Sequence, residues 1–342
     1  LEQSVWETGE ETDMRVGLIG AGRIGAFHGR TLAAHAEVDE VIVTDPLLER
    51  AEDVAADVDG KVVPDAESMI GSVDAIVVAA ATDVHAPMMH LAADAGIPVF
   101  CEKPIAVDLP TTDAAVAHIR KSGIPAQIGF QRRFDAGYRA AKALVNGGAI
   151  GHLYSVRTTT HDYEPPPPGY VDMGIFVDTQ IHDFDIIRFV TGQEAVEAYA
   201  TGFTTTAESF GDDRPIDTGV VILSLSDGTQ ALMSGIRHDP VGHDVRMELF
   251  GVGDSVSVGL AHDLPLRSVE PGGPVIEEPT PKSFLDRFAS AYTAEIEQFI
   301  DVAQGRVPSP CTPEDAREAL RIAIACNISR AEHRPVRLEE VK

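Results

Sequence analysis

The sequence predicts an α/β fold followed by an α+β one: a parallel sheet with helices on both faces, then a domain built on an open, largely antiparallel sheet. Three observations carry this. Apolar strand-like runs alternate with helical stretches from Met14 to about Phe130, and from His152 onward the texture changes to longer alternating strands. At 342 residues the chain is also too long for one ordinary core, so two domains are expected.

In the first domain the strand-like segments are Arg15 to Ile19, Glu40 to Thr44, Ala75 to Ala80, Pro98 to Glu102 and Ala126 to Phe130. Between them Ile24 to Ala36, Leu47 to Ala56, Val84 to Ala95 and Leu109 to Ser122 have helical composition. One more helix, Asp135 to Asn146, ends at Gly147-Gly148. The later strands are Leu153 to Thr160, Glu197 to Thr204, Thr218 to Ser226, Gln230 to Ile236 and Val245 to Phe250, with turn signals at Asp227-Gly228 and Gly251-x-Gly253. An open sheet needs its bare face covered, and a partner subunit is a common cover, so a homo-oligomer is expected. Two helical stretches, Phe284 to Gln304 and Pro313 to Ala331, close the chain, and Pro165 to Pro168 reads as a stiff loop. Leu1 to Asp13 carries five acids and no base, which reads as a disordered tail or a misplaced start. The expected division is therefore an acidic tail over 1–13, a nucleotide-binding domain over 14–130 and a substrate-binding and oligomerisation domain over 131–342.

Composition excludes several function classes. No apolar run approaches the roughly 20 residues of a membrane span and no signal-peptide pattern opens the chain, so a cytoplasmic location is expected. A formal charge of −27 repels nucleic acid and anionic membranes. Cys101, Cys311 and Cys326 are odd in number and lack CxxC spacing, which fits a reducing compartment without a structural metal.

Residues 16 to 25 supply the sharpest motif: a short apolar strand runs into Gly20-x-Gly22-x-x-Gly25, and Asp45 follows twenty residues later at the end of a second apolar run. Gly20 allows a tight turn, Gly22 lets the backbone approach a pyrophosphate, and Gly25 lets the next helix pack on the strand; this is the Rossmann dinucleotide fingerprint in its context. The phosphates would rest on a helix N-terminus. A carboxylate at Asp45 accepts hydrogen bonds from ribose hydroxyls and repels the extra phosphate of NADP, so NAD is the expected cofactor. Asp45-Pro46 also suits a turn, and the two roles can coexist. Arg23 in the loop could reach a phosphate.

Two segments could do chemistry. Glu102-Lys103-Pro104 ends a buried strand at the edge where open α/β sheets place their ligands, and Pro104 restricts the backbone beside Lys103. Spacing alone also fits a surface Lys-Pro turn. Asp178, His182 and Asp185 are spaced four and three apart and so share a face of one helix expected to run to Val190. A histidine beside carboxylates can have its tautomer fixed and its basicity raised, which suits a general base. The same pattern fits a helix capped by Asp178 with His182 as a satisfied core residue. His161, His182, His238 and His243 are candidate metal ligands by residue type, but no HExxH, cysteine pair or metal-ligand spacing supports a metal. No Gly-x-Ser-x-Gly nucleophile elbow is present.

Taken together, Gly20 to Gly25, Glu102-Lys103-Pro104, the segment Gln127 to Asp135 and Asp178-x-x-x-His182-Asp183-x-Asp185 resemble the Gfo/Idh/MocA oxidoreductases, and within them the inositol 2-dehydrogenases. The resemblance covers essentially everything from Met14 onward. It implies a glucose-fructose oxidoreductase-like second domain and a tetramer or dimer associating through its sheet. It implies a catalytic set of Lys103, Asp178 and His182. Around the cofactor it implies Thr82 and His85 on the nicotinamide side, with Ile24 and Glu102 beside the glycine loop and lysine. Lys103, Arg133, His161, Asp178, His182 and His243 are implied as substrate contacts, although a tyrosine is usual where His243 stands. The implied reaction is NAD-dependent oxidation of a secondary hydroxyl of a cyclic polyol or sugar to a ketone, with myo-inositol the first guess and His182 the base. A pyranose dehydrogenase or ketose reductase is the alternative within the family, and a non-catalytic NAD- or sugar-sensing regulator the alternative outside catalysis. The fingerprint itself generates one prediction: Asp45→Ala weakens NAD binding, and an unchanged affinity in a binding titration contradicts the ribose role.

Overall fold

The computed structural model describes residues 14–164, 173–204, 216–275 and 279–342, so the acidic tail and Pro165 to Pro168 lie outside the described residues. The chain divides into two compact units. The first comprises residues up to Glu102, His118–Gln127 and Ile296–Ser309. Its strands are β1 (Met14–Ile19), β2 (Val38–Thr44), β3 (Lys61–Val62), β4 (Ala75–Val78), β5 (Val99–Glu102) and β6 (Ala126–Gly129), in the spatial order β3-β2-β1-β4-β5-β6. The pairs from β3 through β5 are parallel. Helices α1 (Arg23–Ala34), α2 (Leu48–Asp57), α3 (Ala66–Met69), α4 (Thr82–Ala95) and α5 (Leu109–Ser122) alternate with the strands. Neither β3 nor α3 was anticipated, because two and four residues are too few to establish a period.

Strand order reverses between β1 and β4, which is where doubly wound sheets open their ligand crevice. Val16, Leu18, Val43 and Val77 are fully buried, as parallel strands covered on both faces require. Phe100 tilts against Phe299 at 5.7 Å between ring centroids. Phe299 belongs to α9 (Phe284–Ala303), whose Ile296, Phe299 and Ile300 complete this core. Contacts thus do not divide the chain by a single cut at residue 130. A long amphipathic helix gives no local sign that its last turns serve a different core from its first.

The second unit comprises Lys103–Ala117, Ile128–Glu295 and Pro310–Lys342. A 3-10 turn (Gln131–Phe134) precedes α6 (Ala136–Asn146), which Asp135 caps by accepting from the Gly137 and Tyr138 N–H groups at 2.9 and 3.2 Å. There follow β7 (Leu153–His161), α7 (Ile175–Asp178), α8 (Ile181–Thr191), β8 (Ala195–Phe203), β9 (Thr218–Leu225), β10 (Gln230–Ile236), β11 (Asp244–Gly251) and β12 (Ser255–Val258). After α9 come α10 (Pro313–Glu332), opened by a Thr312–Asp315 capping box, and β13 (Val336–Arg337). The sheet order is β12-β11-β7-β10-β9-β8-β13; every pair is antiparallel except β7 with β10.

The pleat sorts the side chains of this sheet. Ala198, Ala200, Val221, Ala231 and Met233 point to the buried face, and α10 packs on β8. Tyr199, Phe203, Val220, Ile222 and Leu232 point away from it and are 40–60% exposed. The free edge of β8 is short: β13 pairs with Glu197 and Ala198, and the Ala200 N–H donates to Ser329 Oγ at 2.9 Å. No helix among the described residues is long and apolar enough to cross a membrane.

Helix α8 is held from below by a buried ion pair. Arg133 Nε donates to Asp185 Oδ2 at 2.8 Å, and Arg133 Nη1 donates to the Pro310 carbonyl at 2.8 Å and to Asp315 Oδ2 at 3.1 Å. Asp185 is fully buried. The guanidinium is thereby occupied by protein groups, which corrects the expectation that Arg133 contacts substrate. Asp185→Ala leaves the guanidinium buried without its main partner, and a loss of about 3–5 kcal/mol is expected in urea unfolding. A loss below about 1 kcal/mol would mean that Asp315 and Pro310 suffice.

Candidate active site

In the first unit the glycine loop has the geometry its sequence requires. Gly20 takes φ +99°, and a Cβ there would stand 2.6 Å from the Ala79 carbonyl oxygen. A Cβ at Gly25 would stand 2.0 Å from the Gly20 oxygen, whereas one at Gly22 would meet nothing within 4 Å. The backbone at Gly22 is therefore open to a ligand, which is the cradle a pyrophosphate needs. Helix α1 begins immediately after it with no side-chain cap and no acid in its first turn, so its N-terminal dipole favours an anion there. Asp45 ties this loop to β2: Oδ2 accepts from the Ala21 N–H and Oδ1 from the Leu47 N–H, both at 2.8 Å. Each oxygen keeps a further lone pair for a ribose hydroxyl. These residues fit a dinucleotide.

The neighbouring candidates divide. Arg23 is exposed at the start of α1, and Thr82 opens α4. Ile24 turns its side chain to the core, so only its backbone faces the loop. His85 is buried with Nε2 3.0 Å from the Ala80 carbonyl oxygen, bracing the turn after β4. Glu102 hydrogen bonds to Nε2 of buried His28 at 2.8 Å, a pairing 74 residues apart that sequence reasoning missed.

In the second unit the chemistry-bearing residues converge. The Lys103–Pro104 peptide is cis. Lys103 Nζ donates to the main-chain carbonyl of Asp178 at 2.8 Å and stands 3.6 Å from its Oδ1. Asp178 Oδ2 accepts from Arg237 Nη1 at 2.8 Å, with Arg237 buried just beyond the end of β10. Asp178 ends α7 and His182 lies in the first turn of α8, with Thr179 and Gln180 between the two helices. This corrects the single-helix expectation: Asp178 neither shares a helical face with His182 nor caps its helix, whose N-cap is Gln180 without a side-chain bond.

The break is made possible by the sheet beneath it. Gln180 is fully buried against Gly219 and Gly235, cross-strand partners on β9 and β10. A Cβ at Gly219 would stand 2.7 Å from Gln180 Oε1, and one at Gly235 2.7 Å from Gln180 Cδ. Two missing side chains thus let the α7–α8 corner sit down on the strands.

His182 meets Phe130 edge-on at 5.7 Å, and its Nδ1 is buried without a hydrogen-bond partner. Burial first, then the charges of Lys103 and Arg132 and the nearby His243, hold its pKa well below the ordinary 6.5. The expectation that neighbouring carboxylates raise its basicity is therefore corrected; the two acids that follow it are spent elsewhere. Asp183 accepts from Arg132 Nη1 at 2.8 Å and Thr160 Oγ1 at 2.9 Å, and Asp185 holds Arg133.

His161 and His243 lie at the end of β7 and the start of β11. His161 has Nδ1 3.3 Å from Asp239 Oδ2 and Nε2 3.0 Å from Ser234 Oγ. Buried His243 has Nδ1 3.4 Å from Asp162 Oδ1 and lines a cavity of about 390 Å³. The structure thus brings together Lys103, Asp178 and His182 with His243 beside them, and keeps Arg133 and Asp185 apart as a buried pair. Arg237 and Gln180 were missed. The only signal for Arg237 was a cation directly after an apolar strand. Among the described residues no three His, Cys, Asp or Glu side chains are grouped to hold a metal ion.

Comparison with known proteins shows the family of both domains. Residues 14–130 match the oxidoreductase family model with an NAD-binding Rossmann fold, and residues 138–257 match the GFO/IDH/MocA C-terminal domain. The chain is 33% identical to the myo-inositol dehydrogenase Hyg17 of Streptomyces leeuwenhoekii, over 92% of this chain and 97% of that protein. It is 33% identical to an inositol 2-dehydrogenase of Rhizobium meliloti, over 94% of this chain and 98% of that protein. The crystal structure of a myo-inositol dehydrogenase from Corynebacterium glutamicum superposes with a TM-score of 0.86 at 31% identity, covering 95% of this chain and 99% of that one. With both domain models matched in order and the glycine loop open for a dinucleotide, the chain belongs to the Gfo/Idh/MocA family of NAD-binding oxidoreductases.

Proposed function

We propose that the protein oxidises a secondary hydroxyl of a cyclic polyol to a ketone with NAD, myo-inositol to 2-keto-myo-inositol being the first candidate. The single observation that carries this reading is the convergence of Lys103 with Asp178 and His182, two segments some 75 residues apart in sequence. The inositol-dehydrogenase relatives support the substrate class.

When bound, NAD supplies the hydride acceptor. His182 takes the hydroxyl proton: its environment keeps the imidazole neutral at neutral pH, which is the form a general base needs. Lys103 donates to the reacting oxygen and stabilises the negative charge that develops on it, using N–H donors not committed to the Asp178 carbonyl. Asp178 serves this lysine through its main-chain carbonyl, while its carboxylate accepts from Arg237. A pyranose is the second reading, favoured by His243, a histidine beside His182 where the inositol enzymes usually carry tyrosine. The apolar outer face of the second sheet supports association between copies of the chain.

NADH formation across a panel of inositols and pyranoses tests the reading. Turnover on myo-inositol is expected; turnover only on a pyranose moves the substrate and keeps the chemistry, and silence despite NAD binding favours a sensor. Lys103→Ala and His182→Ala should each lower kcat by roughly 10²–10⁴-fold with NAD affinity nearly kept, and near-normal turnover removes that residue from the mechanism. Because protonation of His182 is disfavoured, kcat/KM should stay level as pH falls through 6.5 and decline only below it; an acid limb at or above 6.5 counts against His182 as base. Sedimentation at micromolar concentration should give a tetramer or dimer, and a monomer would leave the sheet face without the proposed cover.

A further inference from the structure

We propose that Arg237 is a positioning residue that keeps the Asp178 carboxylate off Lys103, so that the ammonium stays free to donate to the reacting oxygen. The inference rests on the role proposed above for Lys103. It is carried by an inequality of distances. Lys103 Nζ lies 2.8 Å from the Asp178 main-chain oxygen but 3.6 Å from the nearer carboxylate oxygen, beyond hydrogen-bond reach. The carboxylate instead accepts from Arg237 Nη1 at 2.8 Å through its other oxygen.

The three side chains are nearly out of water, Arg237 at 3%, Asp178 at 11% and Lys103 at 17% exposure. In such surroundings a lone carboxylate beside an ammonium closes onto it, since opposite charges attract more strongly as solvent is withdrawn. Closing this 3.6 Å ion pair into a hydrogen bond would consume a donor and weaken further the field that the developing alkoxide needs. With Arg237 in place the carboxylate is drawn to the guanidinium, and Lys103 keeps its remaining N–H donors for the oxygen where negative charge forms. Arg237 is itself fixed from its backbone, where its N–H donates to the Asp217 carbonyl at 2.9 Å as the chain leaves β10.

Two readouts test this, one independent of turnover. The first is acetylation of Lys103 by acetic anhydride in the full-length protein at fixed pH, followed by peptide mass spectrometry. In Arg237→Gln the released carboxylate closes onto Lys103 Nζ and masks it, so labelling should slow at least threefold. Adding Asp178→Asn should cancel that slowing. A merely structural lesion would loosen the site and speed labelling. The second readout is turnover of the substrate found in the panel: Arg237→Gln should lower kcat roughly 10- to 100-fold with NAD affinity unchanged, Arg237→Lys should recover part of it, and in the Asp178→Asn background Arg237→Gln should cost little more. Unchanged or faster labelling in Arg237→Gln, or kcat effects that multiply independently of Asp178→Asn, overturns the proposal. If Arg237→Gln does not fold, the same two comparisons made with Arg237→Lys decide, with smaller effects of the same sign. Normal kcat in Arg237→Gln while Lys103→Ala is inactive sinks this inference alone, whereas normal kcat in Lys103→Ala sinks the functional reading beneath it.

Discussion

Three buried guanidinium–carboxylate pairs govern the second unit: Arg237 with Asp178, Arg132 with Asp183, and Arg133 with Asp185. Each carboxylate belongs to the same eight-residue stretch, and each arginine comes from outside it. Buried ion pairs contribute little net stability over a well-packed apolar alternative, because both partners lose their hydration. What they do enforce is position, since displacing any one of the acids leaves a buried charge without its counterion. The stretch from Asp178 to Asp185 is thus pinned at its start, middle and end, and His182 is carried in a fixed place between the pins.

Cations dominate the immediate surroundings of His182 although the chain as a whole carries a formal charge of −27. Global charge and local potential are separate properties here. The surplus acids govern repulsion from nucleic acid and other polyanions at long range, while burial and the nearest fixed charges decide protonation at the site. In the proposed reaction, a neutral imidazole near a lysine ammonium would divide the work between a proton acceptor and an electrostatic stabiliser.

Legibility in the sequence followed the range of the interactions. The alternating strands and helices of the first unit and the glycine loop are local patterns, and they stand where the sequence placed them within a residue or two. The segment around Asp178 read as one helix because its spacing is helical; what breaks it is the pair Gly219 and Gly235, some 40 and 55 residues further on, which make room for Gln180. Arg133 read as a ligand contact because the family resemblance implies one, yet Asp185, Pro310 and Asp315 take most of its donors. Arg237 had no motif at all, and only the register of β10 delivers it to Asp178. Short elements such as β3, β12 and β13 exist because a neighbouring strand offers an edge, and their own residues carry no period to detect.

Strand β8 inverts the usual distribution of size. Its covered face uses alanines at 198 and 200, while Tyr199 and Phe203 stand on the outer face. Because side chains alternate strictly along a strand, losing one residue within β8 would drive tyrosine and phenylalanine into the narrow space beneath α10 and leave alanines outside. The α10 interface thus acts as a reading-frame gauge for β8, sensitive to a one-residue slip in a way it is not to a substitution on the outer face.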